Sequence, residues 1–168
     1  TDSISINVTA VNDPPTSSND SVSGTEDTAI VLTTSDFGSY SDAADGTDAT
    51  SLAGVQITQL ESLGSLQFNN SGTPTPNWVD VTLNQAISAA DISAGKLRFV
   101  PDANANGATY ATLQYKEYDG NAYSNSAYTL TVDISAVDDT FTGNSQTVST
   151  NEDTATSGNV LTQPSAVT

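Results

Sequence analysis

The stretch Ala10-Val11-Asn12-Asp13 occurs a second time, 126 residues later, as Ala136-Val137-Asp138-Asp139. The same offset relates Glu26-Asp27-Thr28-Ala29 to Glu152-Asp153-Thr154-Ala155. Matching positions at one fixed spacing indicate an internal repeat. The chain is therefore predicted to contain one complete repeat between parts of its neighbours, with acidic residues at the boundaries.

The segment before the first copy alternates apolar and polar residues, with Ile4, Ile6 and Val8 at every second position. Period 2 predicts a half-buried strand, and the same offset aligns this strand with the alternating segment 130–134. Pro14-Pro15 follows and is expected to form a stiff linker. These boundaries predict an upstream strand and linker over 1–13, a complete domain over 14–139, and the incomplete start of another repeat over 140–168.

The composition restricts the chemistry available to the chain. Its net charge is −17, from 20 acidic residues against three basic ones, and it contains no Cys and no His. Such a charge disfavours nucleic acid and anionic membranes as partners. Without Cys or His, zinc and copper are disfavoured, so oxygen-rich coordination of calcium is the metal chemistry that remains. A merely solvated, halophilic surface is the alternative explanation for the charge.

Short alternating segments separated by turn residues predict an all-β protein. About seven strands, with turn signals every 8–12 residues, are typical of an immunoglobulin-like or cadherin-like β-sandwich. Ser88-Ala89-Ala90-Asp91 has the form of a capping box and predicts one short helical turn that closes at Gly95. No apolar run is long enough to span a bilayer.

Acidic residues are expected at both ends of this sandwich. The thirteen residues from Asp13 to Glu26 span roughly 40 Å when extended, which places these two residues at opposite ends. Glu117 and Asp119 follow Leu113 on the same strand face and direct two carboxylates toward one end. The loop 35–48 carries Asp42 and Asp45, and either holds a cation or is splayed into solvent.

Two other motifs have competing interpretations. Asp102-Ala103-Asn104-Ala105-Asn106-Gly107 fits half of an EF-hand loop, but Leu113 stands where the bidentate Glu is required. A turn stabilised by its own Asn and Asp side chains is the better reading. Trp78 is expected to pack in the core or at its rim, with stacking on a sugar as the alternative.

The run from Gly95 to Gly107, followed by Tyr118-Asp119-Gly120, Ser124-Asn125-Ser126-Ala127 and Ala136-Val137-Asp138-Asp139, resembles the tandem cadherin-like repeats of giant bacterial RTX adhesins. The segment 148–161 resembles the opening of a VCBS-type repeat. The resemblance implies type I secretion and a place on the bacterial cell surface. It also implies an extender function in cell adhesion or biofilm formation, with calcium stiffening the joints between neighbouring repeats.

The resemblance further implies calcium ligands at two joints. The ligands implied for the downstream joint, which are expected to meet at one end of the domain, are Glu26, Asp27, Glu117, Asp119, Asp138 and Asp139. Those implied for the preceding joint are Asn12 and Asp13, with Asp42 and Asp45. The downstream joint is expected to hold calcium better than the preceding one. No enzymatic activity is expected, and a calcium-dependent carbohydrate-binding module is the alternative function.

Overall fold

The structure is a computed structural model that describes residues 3–6, 11–48, 50–71, 75–139 and 152–153. The chain divides into two compact units, Thr1–Val137 and Asp138–Thr168. In the second unit, Glu152 and Asp153 lie in an exposed turn. The rest of the predicted incomplete repeat, including most of the VCBS-like segment, lies outside the described residues.

The first unit contains nine strands in its described part, where about seven were predicted. In chain order these are β1 (Asp20–Thr25), β2 (Ile30–Val31), β3 (Gly54–Gln59), β4 (Ser65–Asn69), β5 (Trp78–Asp80), β6 (Ala86–Ser88), β7 (Leu97–Val100), β8 (Gly107–Tyr118) and β9 (Tyr128–Ser135). They form a five-stranded sheet in the order β1-β9-β8-β3-β6 and a four-stranded sheet in the order β2-β7-β4-β5. The predicted all-β sandwich is confirmed.

The strand directions decide which loops share an end of the sandwich. β9 pairs antiparallel with β8 and parallel with β1, whereas every other pairing is antiparallel. The start of β1 therefore lies beside the start of β9, and both are close to the carboxyl end of β8. The end of β1 lies beside the end of β9 and the amino end of β8.

The alternation of apolar residues in the sequence becomes the core between the two sheets. Leu113 and Tyr115 of β8 and Leu130 of β9 are fully buried, and each buried aliphatic side chain of this size contributes about 1.5–3 kcal/mol. Phe37 packs edge-on against Tyr115 with ring centroids 5.0 Å apart. Phe37 belongs to a short 3-10 helix, Thr34–Phe37, and a further 3-10 segment, interrupted by a kink at Gly46, covers Ala43–Asp48.

The predicted helical turn is present as α1 (Ala89–Ser93). Its N-cap Ser88 accepts a hydrogen bond from the backbone N–H of Asp91 and donates one to the Asp91 carboxylate. A salt bridge of 2.7 Å joins that carboxylate to Lys96. Among the described residues no helix is both long and apolar enough to cross a membrane.

The predicted first strand is not a strand in the described residues 3–6. Ile4 and Ile6 are 89% and 82% exposed, so this segment is not half-buried against the described sandwich, and its assignment to the last strand of an upstream repeat stays a prediction. A strand is half-buried only when a sheet covers one of its faces, and no sheet of the described residues lies against this segment. Val8 lies outside the described residues.

Candidate metal sites at the two ends of the sandwich

The long strand β8 separates two groups of acidic residues. At its start, Gly107 pairs with Ile134 near the end of β9, and Glu26 donates its backbone N–H to Ser135 beyond that point. At its other end β8 runs into Asp119. Twelve strand residues span roughly 36 Å, so Glu26 and Asp119 lie at opposite ends.

The predicted grouping of Glu26-Asp27 with Glu117 and Asp119 at one end is therefore wrong. The sequence places Glu26 correctly near the chain exit at Val137. It does not reveal that β8 runs antiparallel to β9, so that the carboxyl end of β8 meets the chain entry instead. The predicted separation of Asp13 from Glu26 is confirmed.

The entry end consists of Asn12, Asp13, Asp42, Asp45, Glu117 and Asp119. Here the side-chain amide of Asn12 donates to the Asp119 carboxylate at 3.1 Å. Asn121 donates in turn to the Asn12 side-chain oxygen at 2.9 Å. The backbone N–H of Asp13 donates to Asp45 Oδ1 at 2.7 Å. These contacts attach the incoming chain to the end of β8 and to the 3-10 segment.

Thr50 connects two of the buried acids of the entry end. Its backbone N–H and its hydroxyl lie 2.6 and 3.0 Å from Asp42 Oδ2, and the same hydroxyl lies 2.9 Å from the carbonyl oxygen of Asp119. The other carboxylate oxygen, Asp42 Oδ1, is buried and has no hydrogen-bond partner in the described structure. Half of this carboxylate is thus left without compensation.

Asp119 is almost fully buried as well, but its carboxylate accepts several hydrogen bonds from the protein. Burial opposes its charged form, but hydrogen bonds from the N–H groups of Ala122 and Asn121 and from Asn12 outweigh that effect, and the pKa of Asp119 lies below its ordinary value. Asp119 is therefore a carboxylate that stays ionised at neutral pH.

Glu117 is the least compensated group of the entry end. It is 0% exposed, and neither of its carboxylate oxygens has a hydrogen-bond partner within the described residues. The nearby Ser17 hydroxyl points its proton at the carbonyl oxygen of Phe37, 3.1 Å away. Burial raises the pKa of Glu117 to about 7, although Ser17 opposes this shift.

Tyr40 lies close enough to three buried carboxylates for their negative charges to affect its phenol. Burial raises the pKa of its phenol, and the negative charges of Asp42, Asp119 and Glu117 raise it further. The Tyr40 hydroxyl is also 3.5 Å from that of Thr50. One aromatic ring therefore lies within electrostatic reach of all three buried acids.

The donor atoms of the entry end fit a hard divalent cation. Calcium binds carboxylate and amide oxygens, and unpaired buried carboxylates are unfavourable unless a cation or hydrogen bonds compensate them. Within the described ranges no Lys or Arg forms a salt bridge with these acids, and no three acidic side chains converge into a ready-made metal cluster. The entry end therefore contains the oxygen atoms that calcium prefers, and binding would require their side chains to turn toward a shared ion.

The exit end consists of Glu26, Asp27, Asn104, Asn106 and Val137. Both Glu26 oxygens are satisfied there, since the side-chain amide of Asn106 donates to one at 2.8 Å and the backbone N–H of Val137 donates to the other at 2.6 Å. These two bonds, that from Asn106 first, hold the pKa of Glu26 below its ordinary value. The N–H of Asn104 donates to Asp27 in the same way.

A cation fits the exit end less well, because N–H donors already occupy the positions that it would take. Asp138 and Asp139 belong to the second unit, and their role as ligands stays a prediction. The sequence does not identify Asn106 and Thr50, which donate hydrogen bonds to one oxygen of Glu26 and to one oxygen of Asp42. Asn106 stands in the motif that predicts a turn, and the sequence around Thr50 carries no distinguishing signal.

The motif 102–107 forms a turn at the surface of the sandwich. Residues 103–104 form a turn in which Ala105 donates to the Asp102 carbonyl oxygen, while the Asp102 side chain accepts bonds from Tyr110 and Gly64. The predicted turn is present, but the described side-chain bonds of Asp102 and Asn106 join Gly64, Tyr110 and Glu26 and not the turn's own backbone as expected.

Trp78 lies half-buried on the edge strand β5 rather than in the core. The guanidinium carbon of Arg98 lies 4.0 Å from its ring centroid, which is a cation–π contact. Gln67 accepts two hydrogen bonds from the same guanidinium.

No protein-family model matches the chain, and no curated protein is significantly similar to it.

Proposed function

We propose that this chain is a calcium-rigidified extender module of a large bacterial surface adhesin, acting outside the cell as a structural spacer in line with neighbouring repeats. The observation that supports this most is Glu117, a fully buried carboxylate without a hydrogen-bond partner in the described structure, with the half-unpaired Asp42 at the same end of the sandwich. A structural role for a cation accounts for both groups.

Calcium at the entry end would be held by Glu117, Asp42 and Asp119, with Asn12 and Asp45 within reach of the same region. It would supply the positive charge that these buried acids lack. Since Asn12 and Asp13 are already bonded to Asp119 and Asp45, the ion would also fix the incoming chain to the sandwich. A spacer needs such a joint, because a flexible linker does not transmit direction.

The hydrogen bonds at the two ends change which joint we expect to bind calcium first. The exit end is held by hydrogen bonds at Glu26, whereas the entry end contains the uncompensated carboxylates. We therefore expect calcium to bind the entry end first, in place of the earlier expectation that the downstream joint holds it better.

Thermal unfolding in calcium and in EDTA tests the proposal. Extracellular calcium modules bind with Kd of roughly 10⁻⁴ to 10⁻³ M, so about 10 mM calcium should stabilise each site by about 1.4–2.7 kcal/mol. For a domain of this size that corresponds to a rise in Tm of roughly 5–10 °C. An unchanged Tm would contradict the proposal.

Terbium, which replaces calcium in oxygen-ligand sites, locates the ion. Tyr40 lies within electrostatic reach of the buried acids, so excitation of tyrosine should produce terbium luminescence that added calcium suppresses. Tyr40→Phe should weaken the signal. The matched control is Tyr128→Phe, because Tyr128 lies on β9 and packs its ring against Tyr115.

Carbohydrate binding remains the alternative, and Trp78 is its candidate platform. The Arg98 guanidinium lies over that ring, so a sugar would have to displace it or use the other face. No described feature favours this function over the spacer. Calcium-dependent binding on a glycan array, lost in Trp78→Ala, would support it.

A further inference from the structure

The segment Ser3-Ile4-Ser5-Ile6 carries apolar surface that the sandwich does not use. Ile4 and Ile6 are 89% and 82% exposed. In an extended chain they lie on the same side, two residues apart. Two aliphatic side chains exposed on one face indicate a surface that a partner covers.

The sequence of this segment identifies the kind of partner. Residues 3–13 align without a gap with residues 129–139, which include most of β9. Ile4 and Ile6 correspond to Leu130 and Val132, both 0% exposed in the core. Across the three alternate positions, Ile, Ile and Val replace Leu, Val and Ile, so the total number of side-chain carbons is unchanged. Volume-conserving exchanges of this kind are the ones that cores tolerate best.

β9 lies between β1 and β8, and the pairing with both strands fixes its position. Leu130 is paired with Leu113 of β8 and with Asp20 of β1. Val132 is paired with Ala111 and Val22 on the same two strands. A strand in this position needs apolar residues at every second site and free backbone groups on both edges, and the sequence of residues 3–6 supplies this pattern.

We propose that Ser3–Ile6 is the closing strand of a second sandwich of this chain's own kind, inserted between that sandwich's copies of β1 and β8. Ile4 takes the Leu130 position and Ile6 takes the Val132 position. The inference rests on the repeat architecture in the proposed function, but it does not require calcium.

The reach of the chain places this partner. Asn12 is bonded to Asp119 and Asn121 at the entry end, and the six residues from Ile6 to Asn12 span at most about 22 Å. The second sandwich must therefore adjoin the entry end directly, with no room for another domain between them. Its exit end would then face the buried acids Asp42 and Glu117.

A graft in the full chain tests the fit. Residues 129–139 are replaced by the sequence of residues 3–13, which requires T129S, L130I, T131S, V132I, D133N, I134V, S135T and D138N. In EDTA, the grafted chain should unfold cooperatively with a Tm within about 5 °C of the parent. The matched control carries the same residues with positions 130 and 131 exchanged, which places Ser in the core, and should lose more than about 10 °C. A graft that loses as much as this control would overturn the proposal.

Binding between molecules is tested with a peptide. The full chain with Leu130→Ser and Val132→Ser has a weakened β9, and a peptide of residues 1–13 should raise its Tm in a dose-dependent manner. The same peptide with Ile4→Ser and Ile6→Ser should have no effect. If a peptide of residues 127–139 stabilises the variant and the 1–13 peptide does not, the proposal is wrong. Both experiments are performed in EDTA, so their failure is distinct from a failure of calcium binding.

Discussion

Two glutamates, at opposite ends of one sandwich, show how burial and hydrogen bonding give the same residue type opposite roles. Glu26 and Glu117 are both shielded from solvent. Glu26 accepts N–H donors on both oxygens, whereas Glu117 has no partner within the described structure. An unpaired buried charge is destabilising, while a carboxylate that accepts two N–H bonds stabilises the fold.

The same substitution should therefore have opposite effects at these two sites. In EDTA at pH 8, Glu117→Gln removes an uncompensated charge and should raise the free energy of unfolding by about 1–3 kcal/mol. Glu26→Gln should lower it, because the new amide presents its own N–H group to a donor, either Asn106 or Val137. Urea denaturation of the three proteins measures both changes.

The calcium response separates the two variants further. Glu117→Gln should lose most of the stabilisation by calcium, and Glu26→Gln should keep it. If Glu26→Gln abolishes the response and Glu117→Gln retains it, calcium binds the exit end and the assignment of the entry end is incorrect.

The raised pKa of Glu117 predicts how stability depends on pH. Folding shifts this pKa from 4.5 to about 7, so between these values the folded state holds the proton more tightly than the unfolded chain does. The stabilisation is complete below pH 4.5 and is lost as the pH rises through 7, by at most about 3 kcal/mol. Denaturation at pH 5 to 8 in EDTA should show this fall, and Glu117→Gln should flatten it. A calcium-free protein that becomes more stable over this range would contradict the prediction.

At the scale of elements, β8 determines both the core and the geometry of the site. Its inward side chains pass from the apolar Leu113 and Tyr115 to the acidic Glu117, all fully buried. The sequence predicted this alternation correctly, because the period of a strand is fixed at two residues. The predicted end of the sandwich for Glu117 and Asp119 was wrong, because that end depends on pairing between residues far apart in the chain.

The short strands illustrate the same limit. β6 (Ala86–Ser88) was not predicted, since three residues give too little alternation to recognise. The parallel pairing of β1 with β9 was also missed, because nothing in either strand specifies its direction. The helical turn at Ala89–Ser93 was predicted, because its capping box is a local signal.

The core position of β8 makes it sensitive to truncation. Leu113 is fully buried and pairs with Leu130, so Leu113→Ala should lower the free energy of unfolding by about 2–5 kcal/mol. Gln114→Ala, on the opposite face of the same strand, should change it by less than about 0.5 kcal/mol. Chemical denaturation distinguishes these outcomes. Equal effects would mean that β8 does not face the core as described.

At the scale of the whole molecule, the net charge of −17 has two physical explanations. Self-repulsion weakens a compact state and is relieved by any salt, because the Debye length falls from about 30 Å at 0.01 M to about 10 Å at 0.1 M ionic strength. A halophilic surface is stabilised only by this screening of its charges by salt. A calcium-rigidified spacer adds a specific site, so its stability should depend on which cation is present.

Matched salts separate the two explanations. At equal ionic strength, calcium should raise the Tm above the value in sodium chloride. Magnesium should raise it less than calcium, since it demands a stricter octahedral geometry and loses its water reluctantly. Glu117→Gln should keep the rise caused by sodium chloride and lose the additional rise caused by calcium, because screening acts on the whole surface and the buried carboxylate acts at one end. Equal rises with calcium, magnesium and sodium would leave the acidic surface as a halophilic adaptation and remove the physical basis for the spacer.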